Sequence, residues 1–284
     1  MARVWLITGC SSGIGQELAL AALEHGDRVV ATARDPSRLQ DLVSKGAFPA
    51  KLDVTSSDEI IASTIQDILK EVGQIDILVN NAGYGLQSAV EEASAAEIQA
   101  TFATNVFGMF TVLRAVLPHM RSRRSGVIAN LGSIMGWTGS PGAGFYCATK
   151  AVSAIFSESL RAEVAGLGIE VTAIEPGNYR TNILSQTAQV RAEKKIVDYE
   201  PMHQELTNYL RGMDGNQPGD TKKGAKLMVE ALTGTGRCAG KKLPPRLALG
   251  ADAVKYIGDV LDTNRKHLDE WTDLISTTDY DDVV

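Results

Sequence analysis

"LITGCSSGIG", residues 6–15, is the stretch whose reading decides the fold. The apolar run "VWLI" at 4–7 ends in a cluster of glycines and serines, and an amphipathic stretch begins at once. That order predicts a strand, a tight turn and a helix N-terminus in immediate succession. Gly9, Gly13 and Gly15 permit a sharp reversal and the close approach of another group. The free N–H groups and positive dipole end of a helix opening near Gly13 favour an anion such as a phosphate. A glycine triplet by itself also occurs in any tight strand–helix turn, so the rest of the chain has to carry the dinucleotide reading.

Working outward, β-rich runs alternate with helical patterns. "RVVATA" (28–33), "AFPAKLDV" (47–54), "DILVNNAG" (76–83), "GVIANLGS" (126–133) and "EVTAIEPG" (170–177) read as strands. "GIGQELALAALEHG" (13–26), "DEIIASTIQDILKEVG" (58–73) and "AEIQATFATNVFGMFTVLRAVLPHM" (96–120) read as helices. The strands lack polar alternation, as expected of a parallel sheet covered on both faces. The expected fold is α/β: a doubly wound parallel sheet with helices on both faces, in one domain spanning 1–284. Residues 182–245, with Gly and Pro clusters, are expected as a substrate lid over the carboxyl edge of the sheet. Within them "DTKKGAKLMVEAL" is helical; "RLALG" follows as a last strand, and 251–284 as a helical tail fraying at "DYDD".

Composition narrows the function classes. The 284 residues are 44% hydrophobic and 22% charged, with net charge -6, which excludes nucleic acid as the main ligand. The one basic cluster, "MRSRRSG" at 120–126, reads as a solvated helix end. Cys10, Cys147 and Cys238 show neither metal-ligand nor disulfide spacing, and no signal pattern precedes the first strand, so a cytoplasmic location is expected. No apolar run is expected to approach the length and composition of a membrane span. His25, His119, His203 and His267 are scattered without metal-site spacing and read as surface or boundary residues; no metal is expected.

The corner after the second strand selects the dinucleotide. An acidic residue there suits the ribose hydroxyls of NAD, an arginine the 2′-phosphate of NADP. Arg34 stands at that corner, with Asp35 and Arg38 beyond it. A guanidinium grips a phosphate bidentately, which favours NADP(H) over NAD(H). A surface arginine in a turn is the alternative for Arg34. Further along, Tyr146 and Lys150 lie one helical turn apart on "YCATKAVSAIFSESLRAEVAG" (146–166), and Ser133 stands thirteen residues before the phenol.

Together these pieces carry a resemblance to the short-chain dehydrogenase/reductase family in its single-domain form. They are "TGCSSGIG" at 8–15, Asp53 in "LDV", "NNAG" at 80–83, Asn105 in "ATNVFG", Ser133 in "LGS", "YCATK" at 146–150 and "PGNYRT" at 176–181. Each is weak alone, while their order and spacing are specific. The resemblance covers about residues 3–181 strongly and leans toward the hydroxysteroid/retinol dehydrogenase and carbonyl reductase branch. It implies a catalytic set of Asn105, Ser133, Tyr146 and Lys150. It also implies cofactor contacts from Gly9, Ser11, Ser12, Gly13, Ile14, Gly15, Arg34, Asp53, Asn81, Ala82, Gly83, Pro176, Gly177 and Thr181, with Tyr146 and Lys150 again. Asn80 has a structural reading at least equal to a functional one.

In that scheme the Lys150 ammonium lowers the pKa of the phenol, which ordinarily titrates near 10. Tyr146 then serves as general acid toward a carbonyl, Ser133 bonds the same oxygen, and Asn105 keeps a water that relays protons. Glu175, Tyr179 and Arg180 are expected around the far end of the cofactor, and Cys147 is read as packing. Ile183, Leu184, Tyr199, Met202, Leu206, Tyr209, Leu210 and Met213 are lid candidates or helix-packing residues; Met135, Trp137 and Phe145 are cleft candidates. The expected activity is NADP(H)-dependent hydride transfer to a hydrophobic ketone or from its alcohol. The alternatives are a redox-silent NADP-binding regulator and a dehydratase or epimerase with retained cofactor. The resemblance also implies a homo-oligomer, dimer or tetramer, paired through the helices at 97–120 and 146–166.

Overall fold

The computed structural model describes residues 2–184 and 189–280. Its strands are β1 (Val4–Ile7), β2 (Arg28–Ala33), β3 (Phe48–Lys51), β4 (Ile77–Asn80), β5 (Leu86–Gln87), β6 (Gly126–Leu131), β7 (Ile169–Pro176), β8 (Val190–Arg191) and β9 (Arg246–Leu249). Its α-helices are α1 (Gly13–Glu24), α2 (Gln40–Val43), α3 (Asp58–Val72), α4 (Ala95–Phe102), α5 (Gly108–Arg123), α6 (Gly144–Val164), α7 (Glu200–Met213), α8 (Thr221–Thr233) and α9 (Ala251–Ile275). Seven strands form one sheet in the order β3-β2-β1-β4-β6-β7-β9, while β5 and β8 pair separately. Every neighbour in the main sheet is parallel, from Leu6 opposite Val30 at one side to Ile174 opposite Leu247 at the other. The order reverses direction between β1 and β4, which opens a crevice at their carboxyl ends.

Side-chain alternation explains the two helix layers. Trp5 and Ile7 of β1, Val29 and Ala31 of β2, and Ile77 and Val79 of β4 face α1 and α8. Leu6, Val30, Leu78 and Ile128, one residue out of phase, face α3, α5 and α6. Each fully buried aliphatic side chain contributes about 1.5–3 kcal/mol, so both faces must be covered.

This layering corrects the expected boundaries of the lid. The second half of 182–245 does not lie over the carboxyl edge: Met228, Val229 and Leu232 of α8 are buried with Leu18 and Ala22 of α1. An amphipathic helix with a buried stripe of that size belongs to the sheet's cover. β9 extends the sheet beside β7, and α9 follows, as expected. Residues 281–284, which include part of "DYDD", lie outside the described residues.

A second correction concerns apolar length. Residues Ala95–Arg123 form a helical run long and apolar enough to cross a membrane by length and composition, with mean hydropathy 1.4 over its most apolar 18-residue window. Val112, Leu113, Val116 and Met120 on it are buried against α3 and the sheet, which identifies a core helix. Gly108 sets how closely this run approaches the chain after β3. A Cβ there would lie 2.7 Å from Val54 Cγ2 and 2.8 Å from the Val54 carbonyl oxygen. Gly108→Ala is expected to lower unfolding free energy by about 1–3 kcal/mol in urea titration. Gly258→Ala, on α9 with open space around it, should be neutral or mildly stabilising.

Candidate active site

The turn after β1 is braced by the turn after β4. Asn81 Nδ2 donates to the carbonyls of Thr8 (2.8 Å) and Gly9 (3.0 Å), and Thr8 Oγ1 accepts from the N–H groups of Asn81 (2.9 Å) and Ala82 (3.0 Å). Gly9 (φ +72°) and Gly15 make this contact sterically feasible: a Cβ on Gly9 would stand 2.9 Å from Ala82 Cα, and one on Gly15 2.4 Å from Asn81 Nδ2. Gly13 (φ +63°) instead faces an open groove, whose nearest side chain, 3.7 Å from a Cβ built there, is Thr181. Thr8 was not singled out in the sequence, since a threonine before a glycine turn carries no distinctive signal.

Whether this turn suits a dinucleotide phosphate can be tested on α1 itself. Ser12 at its N-cap is extended and makes no side-chain cap bond, and the first turn carries no acidic residue. By contrast, Ser94 and Glu97 close a capping box on α4, and Asp220 caps α8. The N-terminal N–H groups of α1, flanked by the Ser11 and Ser12 hydroxyls, thus fit an external anion. Ile14 anchors the turn below by packing on the α1–α8 core. Arg34 is exposed just past β2, beside the same groove end. Burial of the Asp53 carboxyl opposes ionisation, but Thr55, through its N–H (3.0 Å) and hydroxyl (2.7 Å), and the nearby Arg34 charge hold its pKa below the usual carboxylate value.

Ser133, Tyr146 and Lys150 converge at the carboxyl ends of β4 and β6. Ser133 follows β6 in extended conformation, buried, with Oγ accepting from Met135 N–H at 3.1 Å. Tyr146 lies in the first turn of α6 and Lys150 one turn on. Lys150 Nζ is buried, donates to the Leu131 carbonyl at 2.7 Å, and stands 5.6 Å from the centre of the Tyr146 ring. A Cβ on Gly83 would fall 3.1 Å from Asn105 Oδ1 and 3.8 Å from Lys150 Nζ, so Gly83 lets the chain pass between them.

Asn105 sits in a π-helical turn, Ala103–Phe107, between α4 and α5. Such single turns re-aim a side chain out of an otherwise regular helix. Asn105 Nδ2 donates to the Tyr84 carbonyl (2.8 Å) and Thr149 Oγ1 (3.2 Å), while Oδ1 accepts from Tyr84 N–H (3.0 Å). Thr149 in turn donates to the Tyr146 carbonyl at 2.8 Å. The amide therefore braces both the turn after β4 and the start of α6. Neither the π turn nor Thr149 was visible in the sequence, because periodicity alone reads 96–120 as one regular helix.

The titration of the pair differs from expectation. Burial pushes the Tyr146 phenol up to about 12, with the Ser133 hydroxyl pulling it down less strongly. Burial also pulls the Lys150 ammonium down to about 8. The lysine spends its short hydrogen bond on Leu131, so desolvation outweighs it at the phenol. A phenol held protonated is in the form that can donate to a carbonyl oxygen.

Other expected neighbours stand elsewhere. Glu175 is buried and ion-paired with Arg246 (Nε 2.9 Å) while accepting from Trp137 Nε1 (2.9 Å), and the Arg246 guanidinium stacks 3.8 Å over the Trp137 ring. A carboxylate sealed in this way must be satisfied locally, so it does not face the groove. Met135 and Trp137 pack against Ala253 and Ile257 of α9. Tyr179 is in the α1–α8 core, close over Gly224, and Arg180 donates to the Gln217 carbonyl at 3.1 Å. Gly177, after Pro176, is pressed against Asp252: a Cβ there would lie 2.3 Å from its Oδ1, and Asp252 Oδ2 accepts from Asn178 N–H at 2.7 Å. Asn80 joins a buried chain, donating to Asn130 Oδ1 (2.9 Å), whose Nδ2 donates to Ser157 (2.9 Å), in keeping with its structural reading. Cys147 is buried, and burial raises its thiol pKa, as packing implies.

The segment 189–213 is stitched over this corner by acidic residues from 91–97. Glu97 accepts from Glu193 N–H (2.9 Å), Glu91 from the Tyr199 hydroxyl (2.9 Å), and Glu92 from Ile196 N–H (3.0 Å), Ala89 N–H (3.0 Å) and the His203 ring (2.5 Å). His203 is thus a boundary histidine that hydrogen-bonds a buried carboxylate. Met202 and Leu206 close on Gly142, just before α6. Of the other apolar lid candidates, Ile183 (48% exposed) and Tyr209 (58%) point outward. A cavity of about 480 Å³ under α7 has a polar, basic lining that includes Gln87, Arg191, Lys195, His203 and Arg211.

Glu92 supplies a pH dependence. Burial opposes its ionisation, but the Ile196 and Ala89 N–H donors and His203 outweigh it and lower its pKa from 4.5 to about 2. A folded-state pKa below the unfolded one stabilises the attachment of 189–213 fully above about 4.5, and the contribution is lost as pH falls through about 2. Hydrogen exchange corrected for intrinsic rates should therefore show 189–213 losing protection in acid before the sheet does. Glu92→Gln should show loosened exchange there already at neutral pH.

Comparison with known proteins agrees with this geometry. Residues 3–192 match the family model described as short chain dehydrogenase. The chain is 35% identical over 279 residues to oxidoreductase BOA17 of Botryotinia fuckeliana, covering 96% of this chain and 98% of that one. It is similar to the crystal structure of a short-chain dehydrogenase from Streptomyces avermitilis, with TM-score 0.86, 39% identity and 99% of each chain covered. It is also similar to ElxO with NADP bound, with TM-score 0.72 and 25% identity, over 90% of this chain and all of that one. With the parallel sheet and the match across two-thirds of its length, the chain belongs to the short-chain dehydrogenase/reductase family, as an oxidoreductase of alcohol and ketone groups.

Proposed function

We propose that the protein is an NADP(H)-dependent reductase of ketones, acting in reverse on the corresponding secondary alcohols. The observation that carries this reading is the convergence of Ser133, Tyr146 and buried Lys150 beside the groove that runs from the open N-terminus of α1. In it, Gly9, Ser11, Ser12, Gly13, Ile14 and Gly15 line the pyrophosphate site, and Asn81, Ala82, Gly83, Pro176 and Thr181 the remainder of the groove. Asp53 stands at the adenine end and Arg34 takes the 2′-phosphate. The cofactor, when bound, supplies or accepts the hydride.

The chain's own residues handle the proton. Tyr146, held protonated by its surroundings, gives its hydrogen to the carbonyl oxygen, and Ser133 donates a bond to the same oxygen as charge develops there. Lys150, fixed by Leu131, sets a positive charge behind the phenol, which favours the phenolate once the proton has left. Asn105 holds the geometry through Tyr84 and Thr149, and the proton-relay water expected beside it belongs to the same proposal. A redox-silent NADP-binding regulator would have no physical use for a serine, phenol and ammonium gathered in this way. NADPH turnover on a panel of ketones separates the two readings.

For the substrate, Met202 and Leu206 over Gly142 favour an apolar body near Tyr146. The basic cavity under α7 extends this toward substrates that also carry polar groups. A lid at 189–213 is part of this reading. So is a homo-oligomer paired through the helices at 97–120 and 146–166, supported by the exposure of Phe107 and Ile155. A cytoplasmic location accords with three unpaired thiols.

Tyr146→Phe deletes the transferable hydrogen with little change in volume, and kcat should fall on the order of 10²–10⁴-fold while NADPH affinity is kept. Retained turnover would place the acid elsewhere. Arg34→Ala removes a charge-assisted bond to phosphate and should raise the KM for NADPH about 10–100-fold, leaving that for NADH nearly unchanged. An equal rise for both cofactors would remove Arg34 from phosphate recognition.

A further inference from the structure

The C-terminal helix α9 outruns the body that supports it. Ala253 and Ile257 are buried against Ile134, with Met135 and Trp137 beside them. From Leu261 through Tyr280 every residue is exposed. The overhang is not polar all round: Leu261 (51% exposed), Leu268 (49%), Trp271 (60%) and Ile275 (47%) are large apolar side chains held in water. Leu261, Leu268 and Ile275 recur every seven residues, and Trp271 follows Leu268 by three. That places them on one stripe with the spacing of a helix–helix seam, and the stripe continues the face that Ile257 buries on the body.

A helical segment of this length is marginal in water without tertiary packing. The pairs Arg265–Asp269 (3.9 Å) and Lys266–Glu270 (3.9 Å) add only a few tenths of a kcal/mol each. They leave the apolar stripe unexplained, since one tryptophan alone buries about 150–250 Å² when covered. Charge then selects the occupant. Between 259 and 273, Asp259, Asp262, Asp269, Glu270 and Asp273 outnumber Arg265 and Lys266. A helix lying on lipid is rich in Lys and Arg on its polar face, and this one is acidic. The charges are also segregated: the turn at 265–266 is basic and the turn at 269–273 acidic. Two such helices side by side in parallel set like against like. Antiparallel, each basic turn lies beside the partner's acidic turn.

We propose that residues 261–275 pair antiparallel with the same segment of a second copy of this chain. A twofold axis passing at Leu268 sets the two Leu268 side chains together, Leu261 of one copy against Ile275 of the other, and Lys266 abreast of Glu270. An isologous contact of this kind closes on itself and does not propagate into a filament. The seam is short against the roughly 800 Å² per partner of a stable interface, so association in the micromolar range is expected. It is separate from the α5 and α6 faces considered above.

The test is sedimentation of the full chain over about 1–100 μM, compared with L268E/W271E, with circular dichroism and ketone turnover as checks that the body is intact. The expected result is a mass that falls by half in the double variant at equal concentration, with turnover kept. R265E/K266E and D269K/E270K should each self-associate about tenfold more weakly than the parent, and mixing the two should restore association. Equal masses for parent and double variant would overturn the pairing. So would binding of the parent to phosphatidylcholine vesicles that the double variant loses while its mass is unchanged, which would assign the stripe to lipid.

Discussion

A buried ammonium donating to a main-chain carbonyl is the constraint on which the rest of the site depends. Lys150 Nζ meets the Leu131 carbonyl at 2.7 Å, at the point where β6 ends and the turn to Ser133 begins. Desolvating a charge is costly, and the pKa of about 8 records that cost while leaving the lysine mostly protonated near neutral pH. The bond ties α6 to the end of β6, and therefore Tyr146 to Ser133. Asn105 makes the second tie, from the π turn through Thr149 to the Tyr146 carbonyl. Two independent fixings of one helix turn hold the Tyr146 phenol in one place beside Ser133.

The sheet, its two covers and the gathering of Ser133, Tyr146 and Lys150 are legible in the sequence for identifiable reasons. Parallel strands bury both faces, so continuous apolar runs announce them, and the glycines of "TGCSSGIG" mark where backbones must touch. Gly9 and Gly15 prove to be glycine because of Ala82 and Asn81, a close approach between turns far apart in the chain. The pairing of those turns through Thr8 was invisible, since no local pattern specifies which strand end will face which. The same holds for Asn105: a π turn changes the aim of a side chain without changing the apolar spacing that reveals the helix.

The misreadings share one physical cause. Glu175, Trp137, Tyr179 and Arg180 lie near the family motif in sequence, which suggests a place near the groove, yet each is claimed by a partner from a distant element. Arg246 on β9 takes Glu175, α9 takes Trp137, and α8 takes Tyr179. The segment 182–245 was read as one unit because Gly and Pro clusters look alike whether they sit in a lid or separate two packed elements. Only tertiary contact divides it into a stitched strap and a core helix.

That division bears on how the two parts can change. Ser133, Tyr146 and Lys150 sit on or beside elements whose faces are buried in the main core, where a single methylene is felt. The strap at 189–213 is held by hydrogen bonds to Glu91, Glu92 and Glu97, and α7 has no fully buried residue. Segments with few buried contacts open at lower free energy than the core beneath them. Substitutions in the strap can therefore be accommodated without displacing Tyr146 or Lys150. The exception is Glu92, a sealed carboxylate with three donors converging on it. It makes the strap's position a property of charge burial rather than apolar packing, and so ties the strap to one ionised group.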